Sequence, residues 1–298
     1  MGRRIRIPFV IDVMRVSDAE TIGALARDPR LDRAYEKTGP LFNRLLAWRL
    51  MRVFCIDNVS FPTMRARGDE ERRANQAALA AKLREAAIPT DVLLADIEPL
   101  VAYVRGSGSL ETIGATLQAL IGRHFNPDYA PSAQLWAAAV RFDAAARSSN
   151  PLRWLLSAIT GTLNADRRIL ADAVGRDPIA VHATGIAVHN IVASLERMRA
   201  CHADPVRRTA LDGIGAATAC LCAPASILRQ AKRVADVPGG SLTPGSLVTF
   251  ELAAAADRTL DRRVAFQSAA WSACPASDFV FKLLILIWSR AHAQEETP

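Results

Sequence analysis

The sequence is poor in aromatic residues and in cysteines, and both shortages limit what the chain can be. Aromatic residues make up only 6% of the 298 residues, whereas half of the chain is hydrophobic. Alanine, leucine and arginine are abundant and lose little on entering a helix, so the composition predicts a mainly helical fold. The five cysteines are odd in number, and their spacing is not that of a disulfide framework. We therefore expect reduced thiols and a reducing, cytoplasmic compartment.

Long apolar runs and blocks of like charge are also missing. The net charge of +7 comes from 37 basic and 30 acidic residues spread along the chain. Without a nucleic-acid motif beside that charge, we expect no nucleic-acid partner. The longest apolar stretch, 279–288, is interrupted by Lys282 and is too short to cross a bilayer, so no membrane span or secretory signal is predicted. P-loop, GxGxxG, HExxH, GxSxG and DDxxD patterns are all absent from the sequence.

Apolar periodicity and turn residues predict the order of the elements. Ser17 is a candidate N-cap with Glu20 three residues later, and Asp177-Pro178 is a strong helix start. Pro224 is expected to kink one helix. We predict strands over 6–14 and 247–252, and helices over 19–27, 41–54, 68–87, 89–104, 110–121, 133–147, 151–174, 178–201, 212–232 and from 275 to about 293. With no internal repeat and no glycine-serine linker, one domain over residues 1–298 is the simplest expectation.

Four sequence features between residues 183 and 276 occur in an order that is typical of one protein family. A long apolar helix contains Ala183-Thr184-Gly185, and a predicted helix ends in 226–229 (SILR). A Pro-Gly turn and a strand follow at 242–248 (LTPGSLV). Last, the segment 266–276 (FQSAAWSACPA) leads directly into the final apolar helix. This order resembles the second half of a cytochrome P450, in which a distal helix, an ExxR helix, a PxGxxV strand and an FxxGxxxCxG loop follow one another.

The resemblance implies a mainly α, single-domain fold like that of a truncated cytochrome P450, with a small β element. It implies haem b as cofactor and Cys274 as the thiolate ligand of the iron. It places Arg229 in the ExxR motif and Gly185 on the helix that crosses the haem. The residues expected to contact the cofactor are Arg72, Arg73, His182, Gly185, Arg229, Arg233 and Trp271.

The sequence also departs from the family pattern. The glutamate of ExxR is replaced by Ser226, and the loop glycines are replaced by Ala270 and Ala276. The acid and the threonine of the oxygen-activating helix are replaced by Ala187 and Val188. Because the usual proton-delivery groups are missing, ordinary reductase-driven oxygen activation is not expected.

The residues around Cys274 support thiolate ligation on their own chemistry. Cys274 immediately precedes Pro275 at the start of a helix, where the helix dipole lowers the pKa of a thiol. Ala273 and Ala276 are small enough to let a flat ring approach the backbone. The alternative is a buried core thiol, which is the usual fate of a free cysteine.

Two histidines share one face of the long helix, because His182 and His189 are seven residues apart. Under the resemblance, His189 lies beside the distal position, and we predict that it acts as an acid–base group with Asn190 fixing its tautomer. The alternative is a hydrogen-bonded core histidine. A metal site is disfavoured because no third ligand follows at close spacing.

Three functions remain open at this point. The first is a haem-thiolate oxidoreductase that uses peroxide, or that rearranges or dehydrates a small apolar organic substrate. The second is a haem-free pseudoenzyme derived from a P450, acting as a binding or partner protein for a neighbouring biosynthetic enzyme. The third is an unrelated all-helical fold, such as a carrier of apolar ligands or an isoprenoid-handling enzyme, and the absence of a DDxxD-type carboxylate cluster disfavours the latter.

Overall fold

The computed structural model describes residues 2–86, 90–148, 150, 160–238 and 240–293. The chain divides into two compact units, the first formed by Met1–Leu79 with Cys222–Ser277 and the second by Ala80–Leu221 with Asp278–Pro298. Helices dominate and the strands are short, which confirms the predicted mainly α class. A single domain over residues 1–298 stays a prediction.

The first unit is organised around a five-stranded sheet with the strand order β1-β2-β9-β6-β3. β2 and β9 run parallel, and the other neighbours are antiparallel. Two small hairpins, β4–β5 and β7–β8, stand apart from this sheet. The strands of the first unit are β1 Arg3–Ile7, β2 Ile11–Val16, β3 Leu31–Asp32, β4 Cys55–Ile56, β5 Val59–Ser60, β6 Ile227–Ala231, β7 Ala235–Val237, β8 Gly240–Leu242 and β9 Leu247–Phe250. The helices that begin in this unit are α1 Ala19–Arg27, α2 Leu41–Val53, the 3₁₀ turn Pro62–Met64, α3 Glu70–Ala86, α13 Leu252–Thr259 and α14 Arg262–Phe266, numbered along the chain.

A buried polar cluster joins the N-terminal hairpin to the rest of the sheet. The Arg4 guanidinium donates to both oxygens of Asp12 at 2.8 Å, and Ser246 donates to the same carboxylate at 2.6 Å. The fully buried Asn43 of α2 donates to the backbone oxygens of Asp12 and Gly245. Buried polar groups are therefore satisfied by one another, which fixes the register of hairpin and helix.

The second unit consists of helices. They are α4 Asp91–Asp96, α5 Glu98–Val104, α6 Leu110–Gly122, α7 Ala133–Arg147, α8 Thr162–Ala173, α9 Pro178–His182, α10 Val188–Ala203, α11 Pro205–Ala210, α12 Gly213–Cys220 and α15 Ser277–Ala293. α9 and α10 form one rod, interrupted by a π-helical turn at Ala183–Ala187. Gln118 of α6 donates to the Thr184 oxygen within that turn at 3.1 Å. Such turns are frequent at functional sites.

The rod Pro178–Ala203 is the one helix in the described part of the chain that is long and apolar enough to cross a membrane by length and composition. Half of its most apolar window is buried in protein, and core helices of soluble proteins pass the same test.

Most predicted elements are confirmed, and four predictions are wrong. The single strand predicted over 6–14 is a hairpin, because β1 ends at Ile7 and the antiparallel β2 begins at Ile11. The N-cap of α1 is Asp18, whose carboxylate accepts from the Thr21 N–H, and not Ser17. The predicted helix 89–104 is two helices that meet at Ile97, while residue 89 lies outside the described residues, as does the part of the helix 151–174 before residue 160. The predicted helix 212–232 ends at Cys220, and Ile227–Ala231 is instead strand β6.

Candidate functional site

Cys274 lies in the turn that precedes α15, as the sequence predicts. Its N–H donates to the Phe266 oxygen at 2.9 Å, and its carbonyl oxygen accepts from the Ser277 N–H at the start of the helix. Both ends of the residue are thus fixed by backbone hydrogen bonds. The residue as a whole has intermediate exposure, whereas its thiol group is enclosed by protein.

The expected lowering of the thiol pKa by the helix terminus is not what the structure gives. Burial raises the pKa of Cys274, because the surrounding protein disfavours a thiolate. The Ala276 N–H and the Arg33 charge lower it, but these two effects are smaller than desolvation. In the absence of a bound cation, Cys274 is therefore a neutral thiol at neutral pH.

Three arginines surround the indole of Trp271 in the same unit. The Arg72 guanidinium carbon lies 4.5 Å from the indole centroid, and those of Arg33 and Arg229 lie 5.7 Å from it. Arg72 donates to the Trp271 carbonyl oxygen at 3.0 Å. This bond ties α3 to residues 267–276, the segment that contains Cys274, which we call the cysteine loop. Cation–π distances of this kind are attractive, yet three cations on one ring repel one another. We call this set (Arg33, Arg72, Arg229 and Trp271) the arginine cluster.

Arg229 is the most deeply buried member, at 1% exposure. It donates to the side chains of Gln267 at 2.9 Å and Ser272 at 2.7 Å, and to the Leu228 oxygen. Burial lowers the pKa of Arg229 to about 10, so the side chain is still charged at neutral pH. Burial also lowers the pKa of Arg33 well below its usual range, and repulsion from Arg229 adds to the effect.

No member of the arginine cluster forms an ion pair with a carboxylate among the described residues. Several buried N–H groups in the cluster also lack a hydrogen-bond acceptor there: Arg72 Nη1, Arg229 Nε, Gln267 Nε2 and Trp271 Nε1. Asp32 acts on Arg72 and Arg229 only as a more distant charge, since its carboxylate accepts from the backbone N–H groups of Arg33 and Arg67. Buried donors without acceptors are rare and costly, so an acceptor at this place would lower the free energy of the folded state.

The predicted cofactor residues divide into those that join the cluster and those that do not. Arg72, Arg229 and Trp271 come together, although they are distant in sequence. Arg73 is exposed and pairs with Glu70 at 3.3 Å, and Arg233 is exposed beyond β6. Both are placed as solvated charges.

Arg229 occupies a different element from the one assigned to it. It lies on β6, paired with Val248 of β9, and does not end a helix. Its assignment to the ExxR helix is therefore wrong, because the helix that precedes it has already ended at Cys220. The strand directs Arg229 toward the cysteine loop, where Gln267 and Ser272 bind it.

The remaining predicted residues lie in the second unit. His182 is half-buried on α9, and Gly185 lies in the π turn, where an added Cβ would be 3.0 Å from Leu170. The His189 ring packs on Trp136 with centroids 4.8 Å apart, and burial lowers the pKa of His189. The Asn190 side chain accepts from Arg147 at 3.3 Å. The acid–base role of His189 and the supporting role of Asn190 stay predictions.

Two members of the site were not predicted. Arg33 follows β3 in a segment without a motif, and its only sequence signal is its place in the arginine-rich stretch 27–33. Gln267 adopts a left-handed backbone (φ 51°) that turns its side chain onto Arg229. No group of three histidine, cysteine, aspartate or glutamate side chains in the described part could hold a metal ion.

Solved structures decide the fold. A variant of cytochrome P450 OleT in complex with arachidonic acid matches with a TM-score of 0.59 at 10% identity, over 97% of this chain and 83% of that one. Cytochrome P450 MoxA from Nonomuraea recticatena matches with a TM-score of 0.57 at 10% identity, over 98% and 84%. CYP175A1 from Thermus thermophilus gives 0.56 at 16% identity, over 98% and 84%.

The chain has a cytochrome P450-like fold. The fold predicted from the order of four short motifs is thereby confirmed. No protein-family model matches the chain, and no curated protein matches it either. At these identities the comparisons speak to the P450-like fold alone, so the function must be argued from the residues of this chain.

Proposed function

We propose that this P450-like protein binds haem b, with Cys274 as the proximal ligand and the arginine cluster holding the propionates. The observation that carries the proposal is the set of buried arginine and indole N–H groups that lack an acceptor among the described residues. Carboxylates are the acceptors that arginine binds best, through two parallel hydrogen bonds. Haem b supplies two carboxylates and an iron that a thiolate can ligate.

The surroundings of Cys274 fit this role. The Ala276 N–H and the Arg33 charge favour the thiolate once a cation opposes desolvation. A raised pKa means that binding the metal must displace a proton, as for any thiol ligand. A thiolate-ligated haem would supply redox chemistry and the activation of peroxide at its iron.

The proposed reaction class rests on the missing acid and alcohol side chains at positions 187 and 188 of the rod Pro178–Ala203. Ala187 and Val188 stand where a proton-delivering acid and alcohol would be needed, so this chain has no side chain there to move a proton. We therefore propose peroxide-dependent oxidation, or rearrangement or dehydration, of a small apolar substrate. Burial lowers the pKa of His189, which keeps its imidazole neutral and able to accept a proton. We propose His189 as the acid–base group, supported by Asn190.

The test is an absorbance titration of the haem-free protein with hemin. We expect one equivalent to bind and, after reduction under carbon monoxide, a Soret band typical of thiolate ligation. Cys274→Ala should retain hemin weakly and lose that band, while Cys55→Ala is the matched control and should keep it. A protein that ignores hemin, or a Cys274→Ala variant with an unchanged band, would contradict the proposal.

The raised pKa of the Cys274 thiol favours a second candidate function, that of a haem-free partner protein. Because burial raises the pKa of Cys274, the free protein holds a neutral thiol that requires no metal. A haem-free partner protein for a neighbouring biosynthetic enzyme would use the same arginine cluster for another anion. In that case Cys274→Ala would leave the partner's activity unchanged, whereas Arg229→Gln would reduce it.

A further inference from the structure

The N-terminal hairpin and the first part of α2 expose a continuous set of large apolar side chains. Phe9, at the tip of the hairpin, is 91% exposed, and Leu41, at the start of α2, is 64% exposed. We call this surface the hairpin–α2 face, and its members are Ile5, Ile7, Phe9, Val10, Leu41, Phe42, Leu45 and Trp48. A contiguous apolar patch of this kind normally marks an interaction site.

Backbone hydrogen bonds hold the two parts of the face together. The Leu41 N–H donates to the Phe9 oxygen at 2.9 Å, and the Phe42 N–H donates to the Val10 oxygen at 2.8 Å. Asn43, fully buried, ties α2 to Asp12 of β2. The face is therefore a preformed surface, and its apolar groups are presented in a fixed arrangement.

The register of the β1–β2 hairpin explains why the apolar side chains of β1 are exposed to solvent. Ile5 pairs with Val13 and Ile7 pairs with Ile11, so these residues share one side of the sheet. Val13 packs against the cluster that includes Ala47 of α2. The helix thus covers the β2 side of that sheet face and leaves Ile5 and Ile7 on the edge strand uncovered.

The charge of these segments is almost entirely of one sign. Residues 1–16 and 40–53 contain seven arginines and one acid, Asp12, which gives a net charge of +6 against +7 for the whole chain. Asp12 is buried against Arg4, so it presents no negative charge to a partner. Exposed cations border the apolar groups at Arg3 and Arg44, and Arg52 lies over the Trp48 ring at 5.0 Å.

We propose that the hairpin–α2 face binds an anionic membrane surface. Leucine and aromatic side chains bordered by arginines are the composition of segments that lie in the lipid interface. A second copy of this chain would bring together two faces bordered by Arg3, Arg44 and Arg52, and like charges disfavour that contact. Phe9 also occupies a left-handed backbone position (φ 61°) that favours asparagine or glycine. The backbone conformation therefore does not explain a phenylalanine here, whereas contact of its exposed ring with a binding partner would.

The test is flotation of the purified full chain with vesicles of phosphatidylcholine containing 30% phosphatidylserine. We expect binding to these vesicles, little binding to pure phosphatidylcholine, and release at 1 M salt, where the screening length falls to about 3 Å. Arg44→Gln should weaken the partition about five-fold, from the contribution of one surface cation. Arg168→Gln, an exposed arginine on α8, is the matched control and should bind like the parent.

The apolar side is tested with the double variant Phe9→Asn and Leu41→Gln, with Val206→Gln as the control because Val206 is 75% exposed on α11. Asparagine accepts the left-handed backbone, so folding should be retained, as circular dichroism would verify. We expect the double variant to lose flotation and the control to keep it.

Equal binding to neutral vesicles, or no binding to anionic ones, would overturn the proposal. Binding of polyglutamate that competes fully with the vesicles would also overturn it, in favour of an acidic protein partner. Sedimentation equilibrium showing a dimer that the double variant dissociates would assign the face to a second copy. None of these outcomes depends on haem.

Discussion

Replacing Arg229 with glutamine removes a buried cation that has no carboxylate partner in the described structure. Burial lowers the pKa of Arg229 from 12.5 to about 10, and a shift of that size corresponds to a cost of about 3 kcal/mol for keeping the side chain charged at neutral pH. The variant also loses the three charge-assisted hydrogen bonds that Arg229 donates, worth about 1.5 kcal/mol each. The two terms largely offset each other, so Arg229→Gln should destabilise the haem-free protein by only about 1 to 2 kcal/mol.

The control is Arg4→Gln, since Arg4 is also largely buried but holds the carboxylate of Asp12. Breaking a buried ion pair leaves an uncompensated charge and typically costs about 3 to 5 kcal/mol. Both variants can be compared by urea unfolding of the haem-free protein, followed by circular dichroism. A large loss for Arg4→Gln beside a small one for Arg229→Gln is the expected pattern.

Hemin affinity should show the opposite order. Loss of a charge-assisted hydrogen bond to a carboxylate costs about 1.5 kcal/mol or more, which is a loss of affinity of at least about ten-fold for Arg229→Gln. Arg4→Gln should bind hemin like the parent at temperatures where it is folded. The reasoning is refuted if Arg229→Gln is as destabilising as Arg4→Gln, or if it leaves the affinity unchanged, because Arg229 would then be a structural residue.

The remaining predictions concern acid, histidine, glycine and thiol. The carboxyl pKa of Asp12 is lowered, since hydrogen bonds from Arg4 and Ser246 outweigh the opposing effect of burial. Its stabilisation is present above pH 4 and lost as the pH falls further, so Asp12→Asn should flatten the acid limb of a stability–pH curve. Burial lowers the pKa of both His189 and His124, so stability should fall as the pH drops below 6.5, and His189→Gln should reduce that slope in thermal unfolding. Gly245→Ala should lower the free energy of unfolding by at least about 2 kcal/mol, because φ is +86° and the new Cβ would lie 2.4 Å from a backbone atom of Gly39; an unchanged melting temperature would contradict this. Because burial raises the pKa of Cys274, hemin affinity should increase between pH 6 and pH 9, and Cys274→Ala should remove that trend.

Local signals allowed much of the helical architecture to be predicted. The span of α7, Ala133–Arg147, matches the prediction because Ser132 caps it and alanines fill it, so propensity and packing agree. Segment 212–232 failed because its alanines and leucines favour a helix locally, whereas Ile227–Ala231 pairs with both β3 and β9. Sheet pairing between residues that are distant in sequence leaves no periodic trace in a strand that is buried on both sides.

The candidate site was only half predictable for a related reason. Cys274 stands in a recognisable order of motifs, and Trp271 is near it in sequence, so both could be proposed. Arg33 and Gln267 reach the site through strand β3 and a left-handed turn, and their chemistry is visible only when tertiary contacts are known. In this chain, Arg33 and Gln267 at the arginine cluster were harder to predict from the sequence than Cys274, the proposed metal ligand.

The positive charge of the arginine cluster favours anion binding whether or not the protein is a haem enzyme. The two proposed functions differ in whether Cys274 ligates a metal, but both leave Arg33, Arg72 and Arg229 buried together around Trp271. Three partly desolvated cations without a carboxylate raise the free energy of the folded state in either case, and the N–H groups without acceptors add to this cost. A bound anion would offset both contributions, so we expect a haem-free protein to bind a carboxylate or phosphate at this place. An anion that stabilises the parent and not Arg229→Gln would establish the binding site before any reaction is known, and the spectrum of the hemin complex would then distinguish the two functions.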